Sequence, residues 1–382
     1  MELADQVPGK LMQAQSARTT FPQRGWSAGS ARYAKRTFPD WSTFGKSGPR
    51  YLDSVRVVLV FPDPPRAAFA TAIGWMNALA SDPDVQQLHL CHTRGYFDLR
   101  QDIALDDLLN LPGEVTYDLA LVVWGRQVFA RAPEGRTLGA RQRGLILTDE
   151  PYETPETVTF NATMMYDIVG VNDAATVDRH RQGIELLCAW DPALRPVGAS
   201  PGDAPRFDVG WVGGTDRRRR AWLRRLDWAN RGASWLWVGP RIRPWFAASG
   251  RSRVERVSYR AEPGKGFYTP AECLGFYHQC RMVVNLHRAD GPGPPAQSPN
   301  PRLYELMGHG IPAVHDFRTQ MPPECLRFSH PAEMGRYLRA IRGGSAEAMT
   351  RLNAAVEVGR IAAANHTYAQ RWATLRLSLP KA

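Results

Sequence analysis

Two stretches of the chain combine residue types and spacing that suit anion chemistry. In the first, Phe207 to Thr215 (FDVGWVGGT), an apolar run ends in Gly213-Gly214 and leads into four arginines, Arg217 to Arg220. Glycines let a backbone approach a ligand closely. Thr215 or Asp216 can cap a helix whose first N–H groups, together with Arg217, face an anion. A diphosphate suits such a turn, although two glycines after a strand serve an ordinary αβ turn equally well.

The second stretch begins at Asn285-Leu286-His287-Arg288, where a strand pattern delivers His287 and Arg288 to its carboxyl end. Open αβ sheets bind ligands at that end. After a Gly/Pro-rich loop comes Asn300-Pro301-Arg302-Leu303-Tyr304-Glu305, then Gly310-Ile311-Pro312. Asn300 can cap a helix on which Arg302 and Glu305, three residues apart, share a face. An arginine pairs with phosphate, and a carboxylate accepts hydrogen bonds from two ribose hydroxyls. The structural alternative is a plain Arg–Glu helix pair beside a Gly-Ile-Pro turn. Lys265 is a further cation available to the same ligand.

The elements needed to hold these residues are visible as short apolar runs alternating with helix-like segments. VRVVLVF (Val55 to Phe61), LHLCH, DLALVVW, GLILTD, DIVGVND and IELLCAW form a first series. A linker rich in Pro, Gly, Ala and Ser follows at 191–206. The alternation then restarts with FDVGWVGG, an Arg-rich helix, SWLWVG, VERVSY, a helix from Pro270, RMVVNLH, the RLYELMGHG helix and IPAVHDF, and closes on helices over 331–341 and 345–364. This alternation is the signature of parallel sheets in βα units. The expected architecture is α/β, two Rossmann-like domains with a cleft between them. The expected divisions are an N-terminal arm over 1–50, a first domain over 51–195, a second over 206–365 and a closing helix over 366–382.

The 382 residues are enough for two buried cores, and their composition is that of a globular chain. No window reaches the roughly 18 apolar residues needed to cross a bilayer, and the N-terminus has no apolar h-region, so a cytoplasmic location is expected. The five cysteines are scattered and match no zinc or redox spacing, which reads as reduced structural thiols. Net charge is +11 and unevenly placed: residues 217–260 hold thirteen arginines against Asp227 and Glu255, and residues 1–50 hold eight bases against three acids. A genome rich in arginine codons would raise the arginine count but would not place it. The asymmetry points to a polyanionic partner near these two segments.

The C-terminal motifs resemble those of GT-B glycosyltransferases, especially the spore-maturation (CgeB-type) group and its glycosyl transferases group 1 relatives. In that resemblance a Gly-rich loop (Asp208 to Thr215) and an N-x-R-x-x-E helix with a G-x-P turn (Asn300, Arg302, Glu305, Gly310, Pro312) hold a nucleotide-sugar. The residues implied to bind the donor are Gly213, Gly214, Thr215, Arg217, Lys265, His287, Arg288, Asn300, Arg302, Tyr304 and Glu305. Leu147 to Tyr152 resembles the acidic D-x-P loop of the N-terminal domain. His366-Thr367-Tyr368 with Arg371 resembles the helix that crosses back to that domain. The likeness spans about residues 52–378. One departure stands out: many retaining relatives carry a glutamate eight residues before the ribose-binding one, and Gln297 stands there. Asp82-Pro83-Asp84 is similar to the metal-binding DxD of the other transferase fold but precedes a strand instead of ending one, so no metal is expected.

The resemblance implies transfer of a sugar, with no cofactor beyond the nucleotide-sugar co-substrate and with UDP as the expected nucleotide. Loss of the nucleoside diphosphate would be assisted by the cations named above. If the anomeric carbon inverts, a base must take the acceptor proton; Asp149, Glu150 and Asp63 lie on loops after N-terminal strands and are the candidates. The arginines of 217–260 are interleaved with Trp222, Trp228, Trp235, Trp237 and Trp245, a mixture that neutralises phosphates and stacks on bases. Nucleic acid is therefore the leading acceptor, as a hydroxymethylated pyrimidine in phage-type DNA, contacted by Arg218, Arg219, Arg220, Arg224, Arg241 and Arg243. The alternatives are a cell-surface, spore-coat or small-molecule acceptor, a non-catalytic nucleic-acid binder on a decayed GT-B fold, and a nucleotide-sugar epimerase.

Overall fold

The computed structural model describes residues 55–61, 69–92, 101–111, 116–123, 138–147, 166–239, 253–258, 268–288 and 296–380. Residues 51–382 form one compact unit, distinct from residues 1–50. Asp63, Asp149, Glu150, Arg241, Arg243, Trp245, Lys265 and the whole N-terminal arm lie outside the described residues.

Six parallel strands make the first sheet: β1 (Val55–Val60), β2 (Val85–Cys91), β3 (Tyr117–Val123), β4 (Ala140–Leu147), β5 (Ile168–Val171) and β6 (Gly183–Glu185). Their order is β2-β1-β3-β4-β5-β6. In β1, Val55, Val57, Val58, Leu59 and Val60 are all buried, as expected of a central parallel strand covered on both faces. IELLCAW contributes only the three residues of β6, after which the chain leaves the sheet through Leu186 to Trp190. The order reverses between β1 and β3, and the loops that leave both strands there lie outside the described residues.

The second sheet is built from β7 (Phe207–Val212), β8 (Ser234–Gly239), β9 (Arg253–Ser258), β10 (Cys280–Asn285), β11 (Ala313–Asp316) and β12 (Arg327–Phe328). The order β12-β11-β10-β7-β8-β9 is that of a doubly wound dinucleotide-binding sheet, and its switch point falls between β7 and β10. Side chains alternate between its two faces. Val209, Trp211, Trp235 and Trp237 pack against Leu223 and Leu226 of α3 (Arg217–Ala229) and Met334 and Leu338 of α6 (Pro331–Arg342). Leu236, Val238 and Val283 pack the other way, against Leu274 and Tyr277 of α4 (Pro270–His278) and Leu306 of α5 (Pro301–Gly308). Both SWLWVG tryptophans are thus core residues.

Helix α1 (Phe69–Ala80) covers the first sheet and α2 (Leu105–Leu109) borders it. After α7 (Ala346–Ala363) the chain returns to the first lobe as α8 (Tyr368–Ser378). A Cβ on Gly74 of α1 would stand 2.1 Å from the Tyr368 ring, so only glycine admits that crossing. The Asp82-Pro83-Asp84 turn receives the far end of α8: Trp372 Nε1 donates to Asp82 at 2.5 Å, and Arg376 reaches Asp82 at 2.8 Å and Asp84 at 2.9 Å. Among the described residues no group of three or more His, Cys, Asp and Glu side chains is placed to hold a metal ion. No described helix is long and apolar enough to cross a membrane.

Candidate functional site

The switch point brings the two sequence stretches together. Gly213 leaves β7 at φ +153, a conformation L-residues rarely adopt, and its N–H donates to Val238 O at 2.9 Å. Asp216, not Thr215, caps α3, accepting from Arg219 N at 2.8 Å. Thr215 stays half-exposed between the turn and the helix.

Opposite this turn, Asn300 caps α5 by accepting from Leu303 N at 3.2 Å. Its amide is locked to that of Asn285 by two reciprocal hydrogen bonds, 3.0 and 2.9 Å, so the end of β10 fixes the start of α5. Arg302 then projects to the turn: a Cβ on Gly213 would lie 2.9 Å from its Nη1. Its Nε donates to the Tyr277 hydroxyl at 3.0 Å, and its guanidinium carbon is 5.8 Å from the centre of the Trp211 ring.

Arg219 approaches the same ring, at 5.9 Å, and donates to Leu286 O and Gly214 O. Burial, and after it the nearby Arg302 and Arg288 cations, pulls the Arg219 pKa down to about 10. Three arginines thus crowd one turn, with the carboxylates of Asp216 and Asp316 as counter-charges. An arriving anion relieves that repulsion.

Glu305 follows Arg302 by one turn on the same face. It is half-buried, and burial raises its carboxyl above the usual range against the opposing pull of Arg302. Among the described residues nothing donates a hydrogen bond to that carboxylate. Arg302 therefore engages Tyr277 and Trp211 rather than closing a helix pair with Glu305. Tyr304 faces the opposite side of α5, where it is buried with Cys188, Met307 and Ala363 and tilts on the His366 ring at 4.9 Å. The 3.6-residue period places it there, away from Arg302.

His287 is fully buried rather than projecting into the crevice. Its backbone N–H and its Nδ1 both meet Asp316 Oδ1, at 2.8 and 2.7 Å. Arg218 closes the set, pairing with Asp316 Oδ2 at 2.5 Å and donating to His287 O at 2.9 Å. Burial works to raise the Asp316 carboxyl, yet the His287 ring and the Arg218 guanidinium hold it far below its ordinary value; burial lowers His287. Arg288 is exposed just beyond. Arg218 and Arg219 are thus committed to the end of β10, whereas Arg217, Arg220 and Arg224 are turned outward on α3.

Several positioning residues escaped the sequence reading. Arg318 donates from one guanidinium to Arg288 O at 2.8 Å and Ala296 O at 3.3 Å, joining the two ends of the segment between them. Asp173, fully buried after β5, accepts from Gln297 N at 2.7 Å and Ser298 N at 3.0 Å. Asn172 adds a bond to Pro299 O at 3.2 Å. Through these contacts the first lobe carries the segment leading into Asn300. The available signal was an Asn-Asp pair at the end of an apolar strand, the position where αβ sheets place working residues.

Residues 217–376 match the family model described as glycosyl transferase-like. No curated protein matches the sequence. Among solved structures, HepE of Anabaena in complex with UDP and glucose superposes with TM-score 0.57 at 11% identity, covering 85% of this chain and 100% of its own. AviGT4, a glycosyltransferase involved in avilamycin A biosynthesis, gives 0.53 at 14%, covering 85% and 98%. An α-glucosyltransferase in complex with UDP and a 13-mer DNA containing an HMU base gives 0.51 at 9%, covering 80% and 94%. At such identities the superpositions speak for the fold, and the family match falls on the lobe that carries α3, α5 and α8. The chain has the GT-B fold, and over residues 217–376 it is similar to the glycosyl transferase-like family.

Proposed function

We propose that the second lobe binds a UDP-linked sugar across the β7–β10 switch point, and that the sugar passes to a hydroxymethylated pyrimidine in DNA. The observation that carries the donor assignment is the convergence of Arg302 and Arg219 on the Trp211 ring beside Gly213. The diphosphate would lie at the Gly213-Gly214 turn, against Arg302 and the N-terminus of α3. Glu305, whose carboxylate meets no hydrogen-bond donor among the described residues, would take the ribose hydroxyls. In transfer, the acceptor oxygen bonds to the anomeric carbon and the bond from that carbon to the β-phosphate oxygen breaks. UDP leaves with the electron pair, and the acceptor proton goes to a base. Asp149, Glu150 and Asp63 stand as the candidates if transfer inverts. No metal or further cofactor enters this scheme.

Support for a nucleic-acid acceptor comes from α3. Arg217, Arg220, Arg224 and Trp228 follow one another at helical spacing on its outer face, and Trp228 is 66% exposed. Arg231 extends the stripe, its guanidinium 4.8 Å over the Trp228 ring. A row of outward-facing cations with an exposed aromatic suits a phosphate backbone. The likeness to a transferase solved with UDP and HMU-containing DNA adds weight to the reading.

The test is mass spectrometry of nucleosides from plain and hydroxymethylated DNA, incubated with the protein and a panel of UDP-sugars. A sugar mass on the modified base supports the whole reading. Release of UDP with unmodified DNA keeps the donor and moves the acceptor to a cell-surface, spore-coat or small molecule. Neither product overturns both.

A further inference from the structure

Trp228 is 66% exposed, whereas every other described tryptophan is buried or half-buried. Its surroundings are strongly cationic. Residues 217–231 hold seven arginines and one acid, and that acid, Asp227, is buried. With Arg218 and Arg219 committed to the end of β10, the charges of Arg217, Arg220, Arg224, Arg225 and Arg231 stand at the surface, joined there by no carboxylate of α3. Helix α6 brings two more cations to the same end: Arg339 donates to Ala229 O at 2.7 Å and Arg342 to Arg231 O at 2.8 Å. Cations at that end also answer the dipole of α3, which accounts for Arg339 and Arg342 but not for an indole at the surface. Arg231 backs the indole, 4.8 Å from the ring centre, and so restricts its orientation while most of the side chain stays open.

We propose that α3 holds its nucleic acid as a single strand, with one unpaired base stacked on Trp228 and the flanking phosphates on Arg224 and Arg231. This rests on the nucleic-acid reading above. Cations alone would serve a duplex equally well, because both forms present phosphates. The indole makes the difference. In a duplex each base face is covered by its neighbour, and only the backbone and the groove edges reach a protein surface. An unpaired strand offers phosphates and open base faces together, which is what a row of arginines ending in an exposed tryptophan can take. The chemistry asks for the same form, since a pyrimidine must leave its stack before its hydroxyl can enter a crevice between two lobes. About 17 Å of helix separate Trp228 from Arg217, so a strand gripped at the indole can run along α3 toward the Gly213-Gly214 turn.

The experiment is fluorescence anisotropy with end-labelled probes of equal length: a single strand of thymidylates, a mixed-sequence duplex, and an abasic strand that keeps the phosphates and lacks the bases. Polyglutamate serves as an unlabelled competitor. Wild type should bind the thymidylate strand more tightly than the duplex, and about tenfold more tightly than the abasic strand. Trp228→Ala should lose about that factor on thymidylate and nothing on the abasic strand. Trp228→Phe keeps an aromatic face and should retain most of the preference; it also serves if Trp228→Ala melts early. Tighter binding of the duplex overturns the proposal, as does a Trp228→Ala variant that loses nothing or loses equally on all three probes. Competition by polyglutamate as effective as that by the unlabelled thymidylate strand assigns the stripe to acidic polymers and overturns it too. Wild type that binds none of the probes, yet binds UDP, overturns the nucleic-acid reading itself and leaves the donor site standing.

Discussion

The guanidinium of Arg302 lies against the backbone of Gly213 so closely that a methyl group there would stand 2.9 Å from Nη1 and 3.1 Å from Nη2. Gly214, one residue on, has nothing within 4 Å of the corresponding position. The two glycines of one turn therefore differ in what they tolerate. Gly213→Ala, strained at φ +153 as well as crowded, should displace Arg302 and weaken UDP binding by about tenfold or more. Gly214→Ala, whose methyl group meets no protein atom within 4 Å, should leave stability within about 0.5 kcal/mol of wild type. Thermal melts of both variants and titration of Gly213→Ala with UDP check the pair, and wild-type UDP affinity in Gly213→Ala would remove Arg302 from the diphosphate site.

Glu305 supplies a pH signature. Its carboxyl is raised by burial and must be ionised to accept two hydroxyl hydrogen bonds. UDP affinity should therefore fall as pH drops through that raised value, above the range of an ordinary glutamate. Glu305→Ala should bind UDP about tenfold more weakly at neutral pH and lose that part of the pH dependence. Titrations from pH 7.5 to 5 in both proteins decide the matter; a variant that matches wild type throughout sinks the ribose assignment.

The Asp82 carboxylate serves two donors of α8, Trp372 Nε1 and Arg376. Asp82→Ala should cost about 1–3 kcal/mol, because a largely buried indole N–H and a guanidinium lose their acceptor together. Asp84→Ala, whose ion pair with Arg376 is half-exposed, should cost under about 1 kcal/mol. Thermal melts of the two variants read the difference. Chelation by EDTA should leave the melting of wild type unchanged.

Acid should loosen the fold before the Asp316 clamp is protonated. His309 and His366 are lowered to about 4 and His315 to about 3, in each case chiefly by burial. The unfolded imidazole titrates near 6.5, so between about 6.5 and 4 the unfolded chain binds more protons, and stability falls as pH falls through that window. Asp316 works elsewhere: its depressed pKa stabilises the fold throughout this range and is lost only in stronger acid. Glu305 opposes the trend, since its raised pKa makes protonation favourable to the fold. With His278 and His287, also lowered by burial, five histidines stand against one carboxyl and predict a lower Tm at pH 5 than at pH 7.5. In His366→Gln, which can still accept from Arg371, the fall should be smaller.

The arginines of α3 divide by face. Arg218 and Arg219 hold the end of β10, so their loss should damage the fold and the donor site together. Replacing Arg217, Arg220 and Arg224 by alanine should leave Tm and UDP affinity intact while lowering DNA affinity. The slope of log affinity against log salt should flatten by about one for each phosphate that is no longer neutralised. An unchanged slope takes this stripe out of any DNA interface.

The strand runs and the Asn300–Glu305 helix were legible because each is a local pattern: burial on both faces for β1 and β10, an Asn-Pro start for α5. Fold class followed from their alternation. What stayed hidden was long-range. Nothing near Arg218 or Arg219 in the sequence says that Asp316 and Leu286 O will claim them, so two arginines assigned with Arg220 and Arg224 to nucleic acid are instead held at the end of β10 by the helical period. Tyr304 illustrates the reverse: it stands between Arg302 and Glu305 in sequence, and the same period turns it into the core. Asp173 stood in the sequence only as the end of the DIVGVND run, and its bonds to Gln297 and Ser298 reach 124 and 125 positions along the chain.

Arg318 holds Arg288 O and Ala296 O with one guanidinium. The chain that leaves the switch point at Arg288 therefore comes back beside it at Ala296. Arg318 thus acts as a staple: one side chain keeps the outgoing end, with its His287–Asp316 pair, next to the returning end that leads into Asn300.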